Sequence, residues 1–488
     1  MIGCVYGNRL YSSCVLAMLA GIVLRVKSET MVVNLSTDNV VRTTSDRFLS
    51  ITLGSTIVRN GWRTLKDSRK LLSLARGLSP AYFRIGGTVQ DYLYWDKDGE
   101  DDNCYNAAQL ERLYQFAQNA RLDLIFGLSP LTRKPDGTWD PTNAEELFQF
   151  MSEKGYSMSW ELGNEPDLWP VHNITDIPPQ KLARDFQRLK DVLKRRGKEN
   201  TKIYGPDVAT LSDDQDFLKT FLKEIGGGIL DAVTYHQYYR NSDGAKLEDF
   251  KNVSILDRFL NYSQKAVKLV HSTLDKNTPI WLGETSSTYN SGAKGLSDSY
   301  LAGFMWLDKL GIAALVNHDV VCRQSIYGGH YSLIDVQTMD PLPDYWTSVL
   351  HKRLVGSKVL MVENSLKPGR NARVYAHCTR ITKYYDYEAG AVTLIVLNLH
   401  QDETLVIELQ KDLKKFDVDQ FLLQPGTKNI TSKSAKLNGK LLKLLEDYRL
   451  PDLNAVKVNQ PFSVPPLTYG FFVIPNANAK GCLTNIFI

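Results

Sequence analysis

Cysteine is scarce in this chain, with six in 488 residues, and no spacing among them resembles a zinc or haem motif. Cys4 and Cys14 fall in the N-terminal leader, leaving Cys104, Cys322, Cys378 and Cys482, a set that fits one disulfide plus free buried thiols. An excess of one charge is missing too: 58 Lys+Arg stand against 54 Asp+Glu, a net +4 that argues against a dedicated nucleic-acid binder. No Gly-X-Gly-X-X-Gly loop follows any strand-like run, which weakens a doubly wound dinucleotide fold. Beyond the leader no apolar stretch is long enough to span a bilayer. Repeats and low-complexity tracts are absent, so two closely packed domains are expected rather than beads on a linker. Neither a metal nor a cofactor is expected.

What is present is a core-forming composition, 43% hydrophobic and 10% aromatic, at a length that fits two or three domains or a large barrel plus a smaller module. Residues 1–28 read as a signal peptide or an uncleaved membrane anchor: Leu10 to Leu24 is mostly apolar and of h-region length, but Arg25 and Lys27 follow at once. Five Asn-X-Ser/Thr sequons, at Asn34, Asn173, Asn252, Asn261 and Asn429, are expected glycosylation sites of a secreted, extracellular or lysosomal protein.

From residue 46 to 351, short apolar runs alternate with amphipathic stretches. The runs are FLSITL (48–53), YFRIG (82–86), LDLIFGL (122–128), SWELG (159–163), KIYGPD (202–207), DAVTYH (231–236), PIWLG (279–283) and DVVCR (319–323). Helical spacing marks the segments between them, as in Asn106–Arg121, where Leu110, Leu113, Phe116 and Ala117 recur on one face. Eight such units predict an α/β fold, a (β/α)8 TIM barrel. From 352 to 488 the pattern changes to alternating runs such as 372–378, 391–399, 404–410, 418–424 and 468–475, several separated by Lys-Pro-Gly or Gln-Pro-Gly turns. That predicts an antiparallel β-sandwich, which residues 29–45 are expected to join.

Barrel chemistry sits at the C-terminal ends of the strands. The fourth strand ends Trp160-Glu161-Leu162-Gly163-Asn164-Glu165-Pro166 and the seventh Trp281-Leu282-Gly283-Glu284-Thr285. A single strand-end Glu often caps a helix or pairs with an arginine. Two in matching Gly-Glu contexts on roughly opposed strands instead fit the carboxyl pair of a glycoside hydrolase. Glu165 is expected as acid/base, its pKa raised by burial and a negative neighbour, and Glu284 as nucleophile. A retaining enzyme requires the carboxyl groups about 5–5.5 Å apart. Pro166 is expected to keep the strand extended through Glu165, with Glu161, Gly163 and Glu165 on one face. Glu161 is expected to form a structural pair with Arg84.

These motifs, with LARGLSPAYFRIGGT (74–88), YGPDV (204–208), GFMWLDKLG (303–311) and PLPDYW (341–346), resemble the heparanase family of retaining endo-β-glucuronidases over nearly the whole chain after the leader. The resemblance implies cleavage of β-glucuronosyl linkages inside heparan sulfate or a related uronic-acid polysaccharide. It gives Glu165 as proton donor and Glu284 as nucleophile, and implies that Asn164 meets the sugar 2-hydroxyl. His236 and Tyr238 would orient the nucleophile and line the site, while Thr88, Gln324, Gly329 and Tyr331 contact the uronic acid. It further implies a Cys378–Cys482 disulfide. Arg133 and Arg240, with Lys134 and Arg323, are the cations left to bind a uronate or sulfate, and Lys428, Lys433, Lys436, Lys440 and Lys443 form a second cluster.

Several features depart from the family. Tyr94 to Asn106 closes, with an acidic turn, the place where vertebrate members carry a long excised segment, so a single-chain monomer needing no internal cleavage is expected. Acidic residues at 213, 214 and 216 stand where a basic cluster is usual, and Gly54 replaces an aspartate. An exo-β-glucuronidase acting on short saccharides is therefore the alternative. A non-catalytic heparan-sulfate-binding homologue is a weaker one, since it should lose the nucleophile and keep the basic patches.

Overall fold

The computed structural model describes residues 27–59, 68–99, 101, 103–211 and 217–483. The leader, Glu100, Asp102 and the acidic residues of 212–216 lie outside them. Eight parallel strands form the barrel: β1 (Leu49–Gly54), β2 (Ala81–Gly86), β3 (Leu122–Leu128), β4 (Ser159–Leu162), β5 (Tyr204–Val208), β6 (Ala232–Gln237), β7 (Ile280–Thr285) and β8 (Val320–Arg323). Their order is β4-β3-β2-β1-β8-β7-β6-β5. A bridge between Trp160 and Ile203, with the Trp160 N–H donating to the Lys202 carbonyl at 3.0 Å, joins β4 to β5 and closes the ring. The strands read as continuous apolar runs because both faces are covered, one by the barrel interior and the other by helices.

Those helices are α1 (Arg69–Gly77), α2 (Ala107–Ala120), α3 (Thr142–Lys154), α4 (Pro179–Arg195), α5 (Phe217–Ile225), α6 (Val253–Thr273), α7 (Ala302–Leu315) and α8 (Pro343–Leu354). The helix expected over Asn106–Arg121 is α2. In α2 Asn106 and Gln109 form a reciprocal capping box, and Leu110, Leu113 and Ala117 are buried as their spacing predicts. Helix α7 is buried from Ala302 to Ala314 because its two sides meet different partners.

One of those partners is the sandwich. Its larger sheet runs from Leu35–Thr43 through Val355–Val362, Ala372–Thr379, Val392–Asn398, Thr468–Ile474 and Val418–Pro425, and the smaller joins Ser28–Val33, Thr404–Leu409 and Phe462–Val464. Residues 28–43 thus supply two strands, one in each sheet. The sandwich is not wholly antiparallel, however: Ser28–Val33 pairs parallel with Thr404–Leu409, because the chain crosses between the sheets at Asn34 rather than turning back in a hairpin. Cys378 and Cys482 form a disulfide, while Cys104 and Cys322 are free and buried. All five sequon asparagines are exposed. Among the described residues no helix is long and apolar enough to cross a membrane.

Candidate active site

At the C-terminal rim of the barrel lies a cleft of about 720 Å³, lined by Asn164, Glu165 and Glu284 together with Thr88, Tyr238, Gln324, Gly329 and Tyr331. A carboxyl oxygen of Glu165 and one of Glu284 lie within 4.8 Å of each other. Each carboxyl is held from a different side. Glu284 accepts from Arg84 Nη1 at 2.9 Å through Oε2 and from the Tyr238 hydroxyl at 2.6 Å through Oε1. Glu165 Oε1 lies 2.9 Å from His236 Nδ1, whose Nε2 lies 3.2 Å from Asp207 Oδ1. Glu165 retains 24% side-chain exposure, whereas Glu161 and Asp207 retain 2% and 1%. Glu165 is therefore the carboxyl beside His236 that reaches the open cleft.

The local backbone differs from the extended run expected at the end of β4. The strand stops at Leu162, and Glu165 takes a left-handed conformation, φ 49°, at the start of the short turn Pro166–Leu168. Its N–H donates to the Asp207 carbonyl at 3.0 Å, a tertiary bond that overrides the local bias of a residue before proline. Glu165 thereby reaches His236 instead of continuing an alternation with Glu161. Gly163, φ 85°, makes room for Trp169, whose indole would lie 2.8 Å from an added Cβ. The Asp91 carboxylate, buried beneath, accepts from the Asn164 N–H at 2.9 Å and the Trp169 indole N–H at 2.8 Å, fixing the turn that carries the pair Asn164–Glu165.

Arg84 does more than the structural pairing with Glu161 expected of it. Its Nε donates to Glu161 at 2.7 Å, Nη1 to Glu284 and Nη2 to Asn164 at 3.0 Å. Burial pushes the Glu161 carboxyl well up, although Arg84 opposes this, whereas Asp207 is held low: burial works against its charge, but Arg84 and His236 outweigh burial. Burial also disfavours a charged His236, yet the Glu284 carboxylate and the bonds to Asp207 and Glu165 raise the imidazole to about 10. As an imidazolium it donates from both nitrogens. His236 thus touches Glu165 and not Glu284, which is held by Tyr238 and Arg84.

Of the cations expected to meet substrate, the three arginines are engaged elsewhere. Arg133 pairs with Asp185 at 2.5 Å and Arg240 with Asp249 at 3.0 Å. Arg323 is buried against Asp344 at 2.9 Å and stacks on Trp306. Among the described residues lining the cleft there is no Lys or Arg. Gly54 lines it with open space where a side chain would stand. Asp207 and Asp91 were not singled out from the sequence. The one signal for Asp207 is its place at the end of β5 in YGPDV, the rim position that also marks the two glutamates.

Residues 63–311 match the family model described as glycosyl hydrolase family 79, N-terminal domain. The chain belongs to glycosyl hydrolase family 79. It is a glycoside hydrolase by that membership. Mouse heparanase is 38% identical over 502 residues, covering 91% of this chain and 92% of the relative. The leech hyaluronoglucuronidase of Hirudo nipponia is 34% identical, covering 92% and 99%. Human inactive heparanase-2 is 33% identical, covering 94% and 90%. Among solved structures, a 4-O-α-L-rhamnosyl-β-D-glucuronidase from Fusarium oxysporum 12S shares the fold, with TM-score 0.66 at 15% identity over 91% of this family 79 chain and all of that one.

Proposed function

We propose that this protein is a retaining endo-β-glucuronidase acting on heparan sulfate or a related glycosaminoglycan. The observation that carries the reading is the approach of Glu165 and Glu284 within 4.8 Å, the spacing class of a double displacement rather than of direct attack by an intervening water. Glu284 attacks the anomeric carbon while Glu165 gives its proton to the departing glycosidic oxygen, leaving a glycosyl ester on Glu284. Glu165 then takes a proton from water, whose oxygen displaces Glu284, and the configuration is retained. Asn164, oriented by Arg84 through its side-chain oxygen and by Asp91 through its backbone, presents its amide to the sugar 2-hydroxyl. Thr88, Gln324, Gly329 and Tyr331 supply neutral polar contacts for the uronic acid. Neither a metal nor a cofactor is needed for these steps.

A second substrate reading is favoured by the cleft lining without Lys or Arg: an unsulfated uronic-acid polymer such as that named for the leech relative. The exposed sequons and the disulfide support passage through the secretory pathway, and a single-chain monomer is part of the same proposal.

The deciding assay incubates the purified protein and its Glu284→Gln variant with heparan sulfate, hyaluronan and an aryl glucuronide. Internal cleavage of one polymer by the parent and a loss of about 10⁴-fold or more in the variant are expected. Full activity in the variant would sink the mechanism, and cleavage of the aryl glucuronide alone would leave the exo-acting alternative. An inert parent protein would place it with inactive heparanase-2.

A further inference from the structure

The near-neutral total conceals one concentration of charge. Residues 179–202, comprising α4 and the turn after it, hold nine Lys+Arg and three Asp+Glu, a net +6 that leaves the rest of the chain at −2. The helix forms because Leu182, Ala183, Phe186, Leu189, Val192 and Leu193 bury one face. Opposite them Lys181, Arg184, Arg188 and Arg195 fall at i, i+3, i+7 and i+14, a stripe about 21 Å long at 1.5 Å per residue. With α3 and the loop after β3, Arg184, Arg188 and Arg195 of this stripe wall a groove of about 540 Å³ that also includes Lys134, Thr142 and Glu145, and Lys181 stands just beyond its lining.

Not all of this charge is free. Arg195 meets Glu145 at 3.2 Å and Arg184 meets Glu224 at 2.8 Å, both in exposed pairs that exchange readily for a stronger anion. Asp191 lies in the groove, and Asp136 and Asp140 sit close enough to feel Lys134 and Arg188, although their carboxylates are already occupied by Thr138 and Thr142. Arg188 and Lys134 form no ion pair among the described residues. The upper end of the stripe is tied to the catalytic rim: the Lys181 ammonium sits over Gly137 of the β3 loop, 2.4 Å from where a Cβ would stand. Helix α4 is the next helix after the turn that carries Glu165, beginning at Pro179.

We propose that this groove is an anchoring site for a sulfated stretch of the polysaccharide, outside the stretch being cut. The inference rests on the glycosaminoglycan reading above and deepens it. A polyanion whose charge finds no cation in the described cleft lining finds a row of guanidinium groups in the groove between α3 and α4, and guanidinium suits sulfate through paired N–H donors. Three positions along the stripe, Arg195 exposed and Lys181 and Arg188 half-buried, test it in the full-length protein, as the triple variant Lys181→Ser, Arg188→Ser, Arg195→Ser. A sandwich triple, Lys428→Ser, Lys440→Ser, Lys443→Ser, removes the same charge elsewhere.

The α4 triple should elute from heparin at lower salt and raise KM on long heparan sulfate by roughly tenfold at low ionic strength, an effect that vanishes at high salt. Its hydrolysis of an aryl glucuronide should equal the parent's, and the sandwich triple should behave as the parent on every substrate. Unchanged heparin elution in the α4 triple would overturn the proposal, as would equal losses in both triples. Equal retention of the parent on DNA or on phosphatidylserine vesicles would overturn it too, by showing charge without sulfate preference. Failure of the parent on both polymers and on the aryl glucuronide would instead strike the catalytic reading, because heparin elution needs no turnover.

Discussion

His236 carries more of the site's electrostatics than its position at the end of β6 suggested. Its ring is fully buried between two carboxylates, with Glu284 and Arg84 also acting on it, and it is held charged to about pH 10. A group whose folded pKa lies above its unfolded value of about 6.5 contributes stability that is complete below that pH. The contribution is lost as pH rises through about 10. His236→Gln, which keeps a donor but never ionises, should therefore unfold at a lower temperature than the parent near pH 6, with the gap closing toward pH 10. A gap that stays constant over that range would show that the ring is neutral in the native state. The same variant should lose activity more severely on a sugar leaving group than on a good aryl leaving group, because the interaction removed bears on Glu165, the proposed proton donor. Sequence reasoning reached His236 only through the family resemblance, which set it toward Glu284, whereas its ring bonds Glu165. The left-handed turn at Glu165 was invisible for the same reason, since its cause is a bond to β5, forty-two residues on.

At the level of elements, α7 couples the two halves of the molecule through adjacent residues. Asp308 accepts from the Tyr375 hydroxyl at 2.6 Å on the sandwich side. Lys309 points the other way and donates to Thr285 Oγ1 at 2.6 Å, to the Ser286 carbonyl at 2.9 Å and to the Gln237 carbonyl at 3.3 Å, beneath the rings of Tyr239 and Phe259. Those partners are the ends of β6 and β7, which carry Tyr238 and Glu284. Gly303 and Gly311 let the helix approach the sandwich, for an added Cβ would stand 2.0 Å from the Tyr469 hydroxyl or 2.2 Å from the Tyr375 ring. Gly311→Ala should therefore cost about 1–3 kcal/mol by overpacking, read as a lower denaturant midpoint. Because the displaced helix carries Lys309, kcat should also fall at temperatures where the variant is still fully folded. A variant with the parent's midpoint would show that Tyr375 moves aside freely. These elements were legible in the sequence to within a few residues: barrel strands, buried on both faces, are continuous apolar runs bounded by polar turns. The uniformly buried α7 shows no amphipathic stripe, and its double role could not be read from periodicity.

Across the whole molecule, the sandwich gathers chain from both sides of the barrel, and the disulfide fastens that arrangement. Leu35–Thr43 pairs with Val355–Val362, and the C-terminal turn Lys480–Leu483 packs on it, with Gly481 against Val40 and Lys480 3.7 Å from Asp38. Cys378 and Cys482 are 104 residues apart, so their bond removes a large share of the unfolded chain's freedom, while the native contacts around it survive its loss. A loop of that length is worth about 4–5 kcal/mol on chain-entropy grounds, within an observed range of about 2–5. The variant Cys378→Ser, Cys482→Ser should accordingly unfold at a markedly lower denaturant concentration, and reduction of the parent should bring it to the same point. Activity at 25 °C should persist in both, since the pairing lies in the strand Ala372–Thr379 and the final turn, away from the Glu165–Glu284 rim. Loss of hydrolysis before any loss of fold would contradict this, showing that the sandwich must be locked at its far edge for α7 to hold β6 and β7 in place.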